Sequence, residues 1–348
     1  MLVGIVGGGF YGCSLACAIA DLGIEVELID KNDDILLEAI SNNQHRLHLG
    51  YHYPRSMETI EQCIRSYHLF LERYSYCVSD VEKNYYLIEK DSKISYDKYK
   101  KVFLNSGLSF EEVQTREVEH LIKKPAKIAG VLNTEEKRIN LSVLTKTLRE
   151  KVLLEKRIKV INNTKISKIA EDSTVYADSF VRKYDFVINC TYSDPKMGLY
   201  DQTIETKNEN CMLVLIRMKN QKFQNTSITV MDGDYVSMYP ADLDGNFTLS
   251  SVLYTPFDKN PSVTKEYNTK TITDKIINHC MEYINIHPHE FEIVGHYLAQ
   301  KTKLLEDKNA FRKCFYSRSG NNISVVAGKI SAILDLENNI LREVLDSV

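Results

Sequence analysis

The chain has 348 residues, 26% of them charged, and a net charge of -3. With no basic run there is no electrostatic footprint for a nucleic-acid partner, and no apolar stretch approaches the length of a membrane span. The length exceeds the usual size of a single core, so two lobes or one large discontinuous domain is expected.

In chain order, a short apolar run, Leu2–Val6, meets glycines at Gly7, Gly9 and Gly12, and a small-residue helix follows. A second apolar run, Ile24–Ile29, ends in Asp30. This is the pattern of a dinucleotide-binding βαβ unit. Gly7 turns the chain off the strand, Gly9 leaves backbone bare for a pyrophosphate, and Gly12 lets the helix sit close to the sheet. The helix N-terminus faces the phosphates, and Asp30 is spaced to accept from a ribose diol. A strand beginning at residue 2 leaves no room for a signal peptide. Eight scattered cysteines without a CxxC pair suit a reduced, cytoplasmic protein.

Asn32–Ala39 reads as a short helix and Met57–Tyr74 as a long amphipathic one, with Ile60, Cys63, Tyr67 and Phe70 at helical spacing. Strands are expected at Tyr85–Ile88, Phe110–Val113, Ile158–Ile161, Ile166–Ile169 and Tyr184–Asn189. Helices are expected at Tyr96–Leu104, Thr115–Ile122 and from Asn140 to Leu154. From Cys211 the pattern changes to long alternating strands, with Asp232-Gly233 as a two-residue hairpin signal. A helix over Thr271–Ile284, a strand over Ile323–Val326 and a closing helix over Lys329–Val348 complete the chain. The fold class is α/β (α+β), a Rossmann-like nucleotide lobe interleaved with an antiparallel-sheet lobe. The expected division is 1–84, 136–206 and 300–348 for the first, and 85–135 with 207–299 for the second.

Three stretches carry chemistry. Ser41–Ser56, SNNQHRLHLGYHYPRS, holds His45, His48 and His52 beside Arg46 and Arg55. Gly50 and Pro54 favour an extended segment, in which His48, Gly50 and His52 share a face and Gly50 lets a flat ring approach. A metal site lacks a nearby acid or cysteine to complete it; a structural role and a cofactor- or substrate-facing role are the other readings. Histidine suits the last because its pKa lies near neutrality. At the C-terminal end, a strand passing through Gly328 into a helix places a helix dipole and Lys329 near negative charge, and Arg318 could fork a carboxylate. Asn189–Asp194, NCTYSD, ends a strand where dinucleotides are commonly contacted.

The opening motif, the split-lobe order and the final strand–Gly–helix resemble the FAD-dependent amine and hydroxy-acid oxidoreductases, which include D-amino-acid oxidase, glycine oxidase, glycerol-3-phosphate dehydrogenase and L-2-hydroxyglutarate dehydrogenase. HLGYHYPRS (His48–Ser56) is similar to the HxGxYYxPxS stretch of the last, which runs beside the isoalloxazine ring. The resemblance implies FAD, held by Gly7, Gly9, Gly12 and Asp30, with Ile166 offering backbone to the adenine and Gly328–Lys329 facing the flavin pyrimidine. It extends the cofactor shell to Phe10, Tyr11, Lys31, Asn43, Arg46, Leu47, His48, Cys190, Thr191 and Ile330. Two positions depart from the family. Asp30 stands where Glu is usual, and Cys190-Thr191-Tyr192 replaces an Ala-Ala-Gly-like turn. FYGC (Phe10–Cys13), NNQHRLHLGYHYPR and NCTYS resemble a branch found among cell-surface polysaccharide genes.

The sequence thus predicts hydride removal from a carbon bearing an amine or hydroxyl, with His48 or His52 as base or orienting residue. Arg318 and Arg46 are expected to hold an anionic group of a small-molecule substrate. The alternatives are an NAD(P)-dependent dehydrogenase, suggested by Asp30, and a non-catalytic nucleotide-binding accessory protein.

Overall fold

The computed structural model describes residues 1–178, 180–200, 204–242, 244–259, 261, 266–305 and 313–347. Its first sheet has six strands in the order Phe315–Ser319, Asn322–Val326, Phe186–Asn189, Leu2–Val6, Glu25–Ile29, Ile158–Ile161. All neighbours are parallel except the first pair. The chain leaves Leu2–Val6 at the point where strand order reverses, which is where open α/β sheets bind ligands.

Four helices, Phe10–Asp21, Met57–Tyr74, Leu141–Leu154 and Ile333–Leu345, pack with the sheet in the larger core. Met57–Tyr74 turns Ile60, Cys63, Tyr67 and Phe70 inward on one stripe, so burial of that stripe fixes its place. Leu141–Leu154 is capped by the Asn140 side chain, which accepts from the Val143 amide at 3.1 Å. The opposite face of the sheet carries a small core of Val6, Ile29 and Val187 packed with Ile166, Ile169 and Val175. The last two belong to a three-stranded meander over Lys168–Ile169, Thr174–Ala177 and Phe180–Lys183.

A second, mostly antiparallel sheet is built around Thr206–Met218, which pairs along its length with Phe291–Leu304. Its strands Thr226–Met231, Val236–Pro240 and Asn246–Ser251 form a meander, and Lys83–Glu89 joins it in parallel beside Thr226–Met231. Helix Thr269–Tyr283 packs against it through Ile276, Ile277 and Cys280.

Several expected elements differ. Asn32–Ala39 forms bends and turns instead of a helix; Asp34 caps its own neighbour's amide, Ile35, at 2.7 Å, the local competition that makes Asp a poor helix former. Asp232–Tyr235, four residues and not two, joins Thr226–Met231 to Val236–Pro240. The closing helix begins at Ile333 after a 3-10 turn over Ile330–Ala332, so Lys329 precedes it; Val348 lies outside the described residues.

Candidate functional site

A cleft of about 890 Å³ opens at the carboxyl ends of the parallel strands and runs to the inner face of the second sheet. Gly7, Gly9, Phe10, Tyr11, Asp30, Lys31, Asn43, Arg46, His48, His52, Ile166, Cys190, Thr191, Gly328, Lys329 and Ile330 line it. The glycine turn is built as a cradle. Gly7 has φ +108°, and a Cβ there would meet the Cys190 carbonyl oxygen at 2.6 Å. A Cβ on Gly12 would overlap the Gly7 carbonyl oxygen outright, so only glycine lets the helix close on the strand. Gly12 itself therefore does not line the cleft. A Cβ on Gly9 would meet nothing within 4 Å. Gly9 is the N-cap of Phe10–Asp21, and no side chain caps that helix. Asp30 is buried and accepts from the Gly8 amide at 2.6 Å and the Asn32 amide at 2.8 Å, which ties its carboxylate to the glycine turn. The Thr191 hydroxyl donates to Asn189 Oδ1 at 2.7 Å, and Asn189 in turn holds the Asp194 and Met197 carbonyls. One buried amide thus shapes the NCTYSD turn.

The histidine stretch folds over the far end of the cleft. Arg46–Leu47 pairs with Lys137–Ile139, and the chain then turns, bringing the His48 and His52 rings within 5.2 Å edge-to-face. Gly50, at φ +124°, packs against Ile60; the helix, not a flat ring, is what approaches it. His45 is separate, bonded to the Ile139 carbonyl at 3.3 Å and the Tyr297 hydroxyl at 3.2 Å. Among the described residues no cluster of three or more His, Cys, Asp or Glu is arranged to hold a metal ion.

Arg46 does not reach for a ligand. Its guanidinium is 1% exposed and stacks 4.2 Å from the Tyr239 ring. Nη1 donates to Tyr86 at 2.6 Å and to Glu136 at 3.3 Å, and Nη2 to Thr229 at 2.8 Å and Ser237 at 3.1 Å. The expected anion clamp is therefore a buried structural ion pair. Arg318 lies away from the cleft. It pairs with Glu343, donates to the Gly320 carbonyl at 2.7 Å and to Ser347 at 3.0 Å, and sits over the Phe186 ring. An acid one helical turn from the chain's end captures it. Leu47 is fully buried in the core and offers no side-chain surface to the cleft.

Lys329 closes the cleft wall. Its ammonium lies 3.4 Å from His48 Nε2 and 4.6 Å from the centre of the Tyr53 ring, and its carbonyl accepts from the Tyr11 hydroxyl. Desolvation, followed by the nearby Arg46 charge, pulls Lys329 down to about 7. Burial, then Lys329, depresses His48 to about 3, although Glu136 opposes this. Burial, then Arg46 and His48, holds His52 well below the usual histidine range. The histidines are thus held neutral, and the group that titrates near neutrality is the lysine. Burial pushes Glu136 up, but contacts with His48, Arg46 and His52 outweigh it and keep the carboxylate ionised. Glu136, Tyr86 and Tyr239 were not distinguishable in sequence: Glu135-Glu136 looks like a solvated turn, and the tyrosines like ordinary strand residues.

A family model described as DAO, FAD dependent oxidoreductase, matches residues 3–329. The chain belongs to that family. It is an FAD-dependent oxidoreductase, and its cofactor is FAD, which decides against the NAD(P) and non-catalytic alternatives. A curated relative, the FAD-dependent monooxygenase FPY4 of Fusarium mangiferae, is 31% identical over 357 aligned residues, covering 99% of this chain and 91% of that one. Among solved structures, glycine oxidase from Geobacillus kaustophilus superposes with a TM-score of 0.77 at 13% identity, covering 99% of this chain and 93% of its own. L-proline dehydrogenase from P. horikoshii does so with a TM-score of 0.74 at 12% identity, over 99% and 93%. At such identities these two establish a shared mixed α/β fold. The cleft suits the cofactor: Gly9 leaves open space at an uncapped helix N-terminus, and Lys329 brings a cation that no carboxylate among the described residues pairs. No helix among the described residues is long and apolar enough to cross a membrane.

Proposed function

We propose that this enzyme oxidises a C–N or C–O bond of a small polar molecule by hydride transfer to FAD. The observation that carries this is the convergence of the glycine cradle and the His48–Lys329 pair in one cleft. Gly7, Gly9, Asp30 and Ile166 would hold the cofactor at one end, and Gly328 and Lys329 at the other. Bound FAD supplies the electron-accepting ring. The protein contributes orientation and charge. His48 accepts a hydrogen bond from the substrate hydroxyl or amine and so aligns the C–H bond to be broken. It orients and does not take the proton, because burial and the nearby Lys329 keep it unprotonated. The proton lost from the hydroxyl or amine is taken by Lys329 in its neutral form, available near pH 7, and the resulting ammonium places positive charge where electrons arrive. The Met231–Tyr235 segment lines the wall opposite.

We read the chain as a cofactor lobe (1–84, 136–206, 300–348) and a covering lobe (85–135, 207–299), with strand Phe291–Leu304 carrying the second sheet a few residues past that last boundary. The resemblance to a branch found with polysaccharide genes makes sugar-derived alcohols and amines the first compounds to test. Eight buried cysteines agree with a reducing, cytoplasmic setting. Anionic substrates have less support: Arg46 is paired to Glu136, and Arg55 to Asp232 at 2.6 Å.

The test is anaerobic bleaching of the FAD absorbance by a panel of amines, amino acids, 2-hydroxy acids and sugar alcohols. Bleaching by one class, with formation of the matching imine-derived carbonyl or keto product, supports the reading; none by any class overturns it. A second reading, monooxygenation, is favoured by the full-length identity to FPY4. It predicts one oxygen atom from labelled O2 in the product.

A further inference from the structure

The buried carboxylate beneath the histidine segment has a geometry that goes beyond an ion pair. Glu136 follows strand Ile128–Thr134 and precedes Lys137–Ile139, whose register with Arg46–Leu47 pairs Arg138 with Arg46 and Lys137 with Leu47. One step further along that register sets Glu136 opposite His48. A carboxylate offers about four acceptor positions. On Oε2, Tyr86 donates at 2.6 Å and Arg46 at 3.3 Å. On Oε1, the Leu49 amide donates at 2.9 Å, and His48 Nδ1 lies 3.4 Å away. Nδ1 is buried and has no partner that meets full hydrogen-bond geometry, so Oε1 is the polar atom that faces it. The other ring nitrogen, Nε2, faces the Lys329 ammonium at 3.4 Å.

These two neighbours impose the same choice. An ionised carboxylate only accepts and an ammonium only donates. The tautomer with its proton on Nδ1 satisfies both contacts, and the opposite tautomer sets lone pair against carboxylate and N–H against ammonium. We propose that Glu136 is a positioning residue that fixes His48 as its Nδ1–H tautomer, turning the Nε2 lone pair toward Lys329 and the cleft. Arg46, Tyr86 and the Leu49 amide hold the carboxylate so that its last acceptor position is aimed at His48. Ring orientation through the second nitrogen is a recognised means of tuning histidine, and long contacts of this kind shorten when a site is filled.

This assignment deepens the role given to His48 above, but its test does not depend on finding a substrate. The FAD-loaded full chain, labelled with 15N-histidine, is examined by long-range 1H–15N correlation between pH 6 and 8, with the His48 signals assigned by their loss in His48→Gln. The expected spectrum has a protonated Nδ1 and an unprotonated Nε2. In Glu136→Gln, whose amide can donate to Nδ1, that pattern is lost or inverted. Tyr86→Phe, which loosens the cluster without changing the group facing Nδ1, keeps it. A wild-type Nε2–H tautomer, or a Glu136→Gln spectrum like wild type, overturns the proposal. If Glu136→Gln does not fold, the wild-type spectrum decides alone. The expected tautomer with no bleaching by any compound would leave Glu136's role standing and overturn the substrate reading instead.

Discussion

Two glycines three residues apart separate packing from cofactor binding, and substituting each with alanine tests the cradle directly. Gly9 lies in extended backbone at the helix N-cap, and a methyl group there meets no protein atom within 4 Å. Gly9→Ala therefore costs the apoprotein only the weaker N-cap preference of alanine, about 0.5 kcal/mol. That is a fall of roughly 1–2 °C in Tm for a chain of this size. The same methyl group occupies the open space that a pyrophosphate needs. Keeping phosphate away from the helix amides forfeits one or two charge-assisted hydrogen bonds, about 1.5–3 kcal/mol each. FAD affinity should fall by at least tenfold. Gly12→Ala behaves differently because its Cβ would overlap the Gly7 carbonyl. Helix and strand must separate, at a cost of about 3 kcal/mol or more, so stability and FAD binding fall together. The assay is a thermal melt of each apoprotein beside an FAD titration by flavin fluorescence quenching. If Gly9→Ala binds FAD as tightly as wild type, the phosphates do not lie against Gly9 and the assignment of the cradle fails.

Arg46→Leu should destabilise the protein by about 3–5 kcal/mol, because it leaves Glu136 buried without its cation; chemical denaturation measures this, and a loss below about 1 kcal/mol would show the pair to be dispensable. Glu136 is held below its unfolded pKa, so its stabilisation is present above the ordinary carboxylate range and is lost as pH falls. Wild type should therefore lose more stability than Glu136→Gln on going from pH 5 to pH 3. Lys329 shows the opposite case: its folded pKa of about 7 lies below the unfolded value of 10.5. Between those values the unfolded chain binds more protons, so this group makes apoprotein stability rise with pH, and Lys329→Met should flatten that slope in melts from pH 7 to 10. In the holoenzyme, Lys329→Met should lower the two-electron potential of the flavin by on the order of 30 mV, equivalent to about a tenfold loss; an unchanged potential would place the lysine away from the ring. Arg318→Ala should cost under about 1 kcal/mol and leave FAD binding and bleaching unchanged, and any loss of bleaching would return Arg318 to the site.

How far the sequence reveals this arrangement depends on the range of the forces involved. The βαβ unit is legible because its constraints are local: Gly7, Gly9 and Gly12 serve a turn and a helix start within six residues. Met57–Tyr74 is legible because burial repeats at the helical period. Arg46 and Arg318 are misleading because an arginine's role depends on which carboxylate reaches it first. Those partners, Glu136 and Glu343, lie 90 and 25 residues away. Glu136 is invisible for the same reason: burial of an acid requires the register of a strand pair that only the folded chain defines. The titration behaviour was likewise hidden, since desolvation moves the histidines out of the neutral range and brings the lysine into it.

Those downward shifts come first from burial and then from the charge around the cleft. Arg46 is a permanent cation, paired to Glu136 and set behind the histidines. It stays charged without offering itself to a ligand. Burial, with that cation nearby, disfavours a second positive charge, so His48 and His52 stay neutral and Lys329 loses its proton more readily than a solvated lysine. An incoming negative charge reverses the balance, because it favours the protonated lysine beside it. With the flavin ring beside Lys329 as proposed, electron arrival and proton uptake there are coupled by simple electrostatics. The potential of the wild-type flavin should then change slope with pH near 7, and the slope should lose that break in Lys329→Met. A break that survives the substitution would assign the coupled proton to another group.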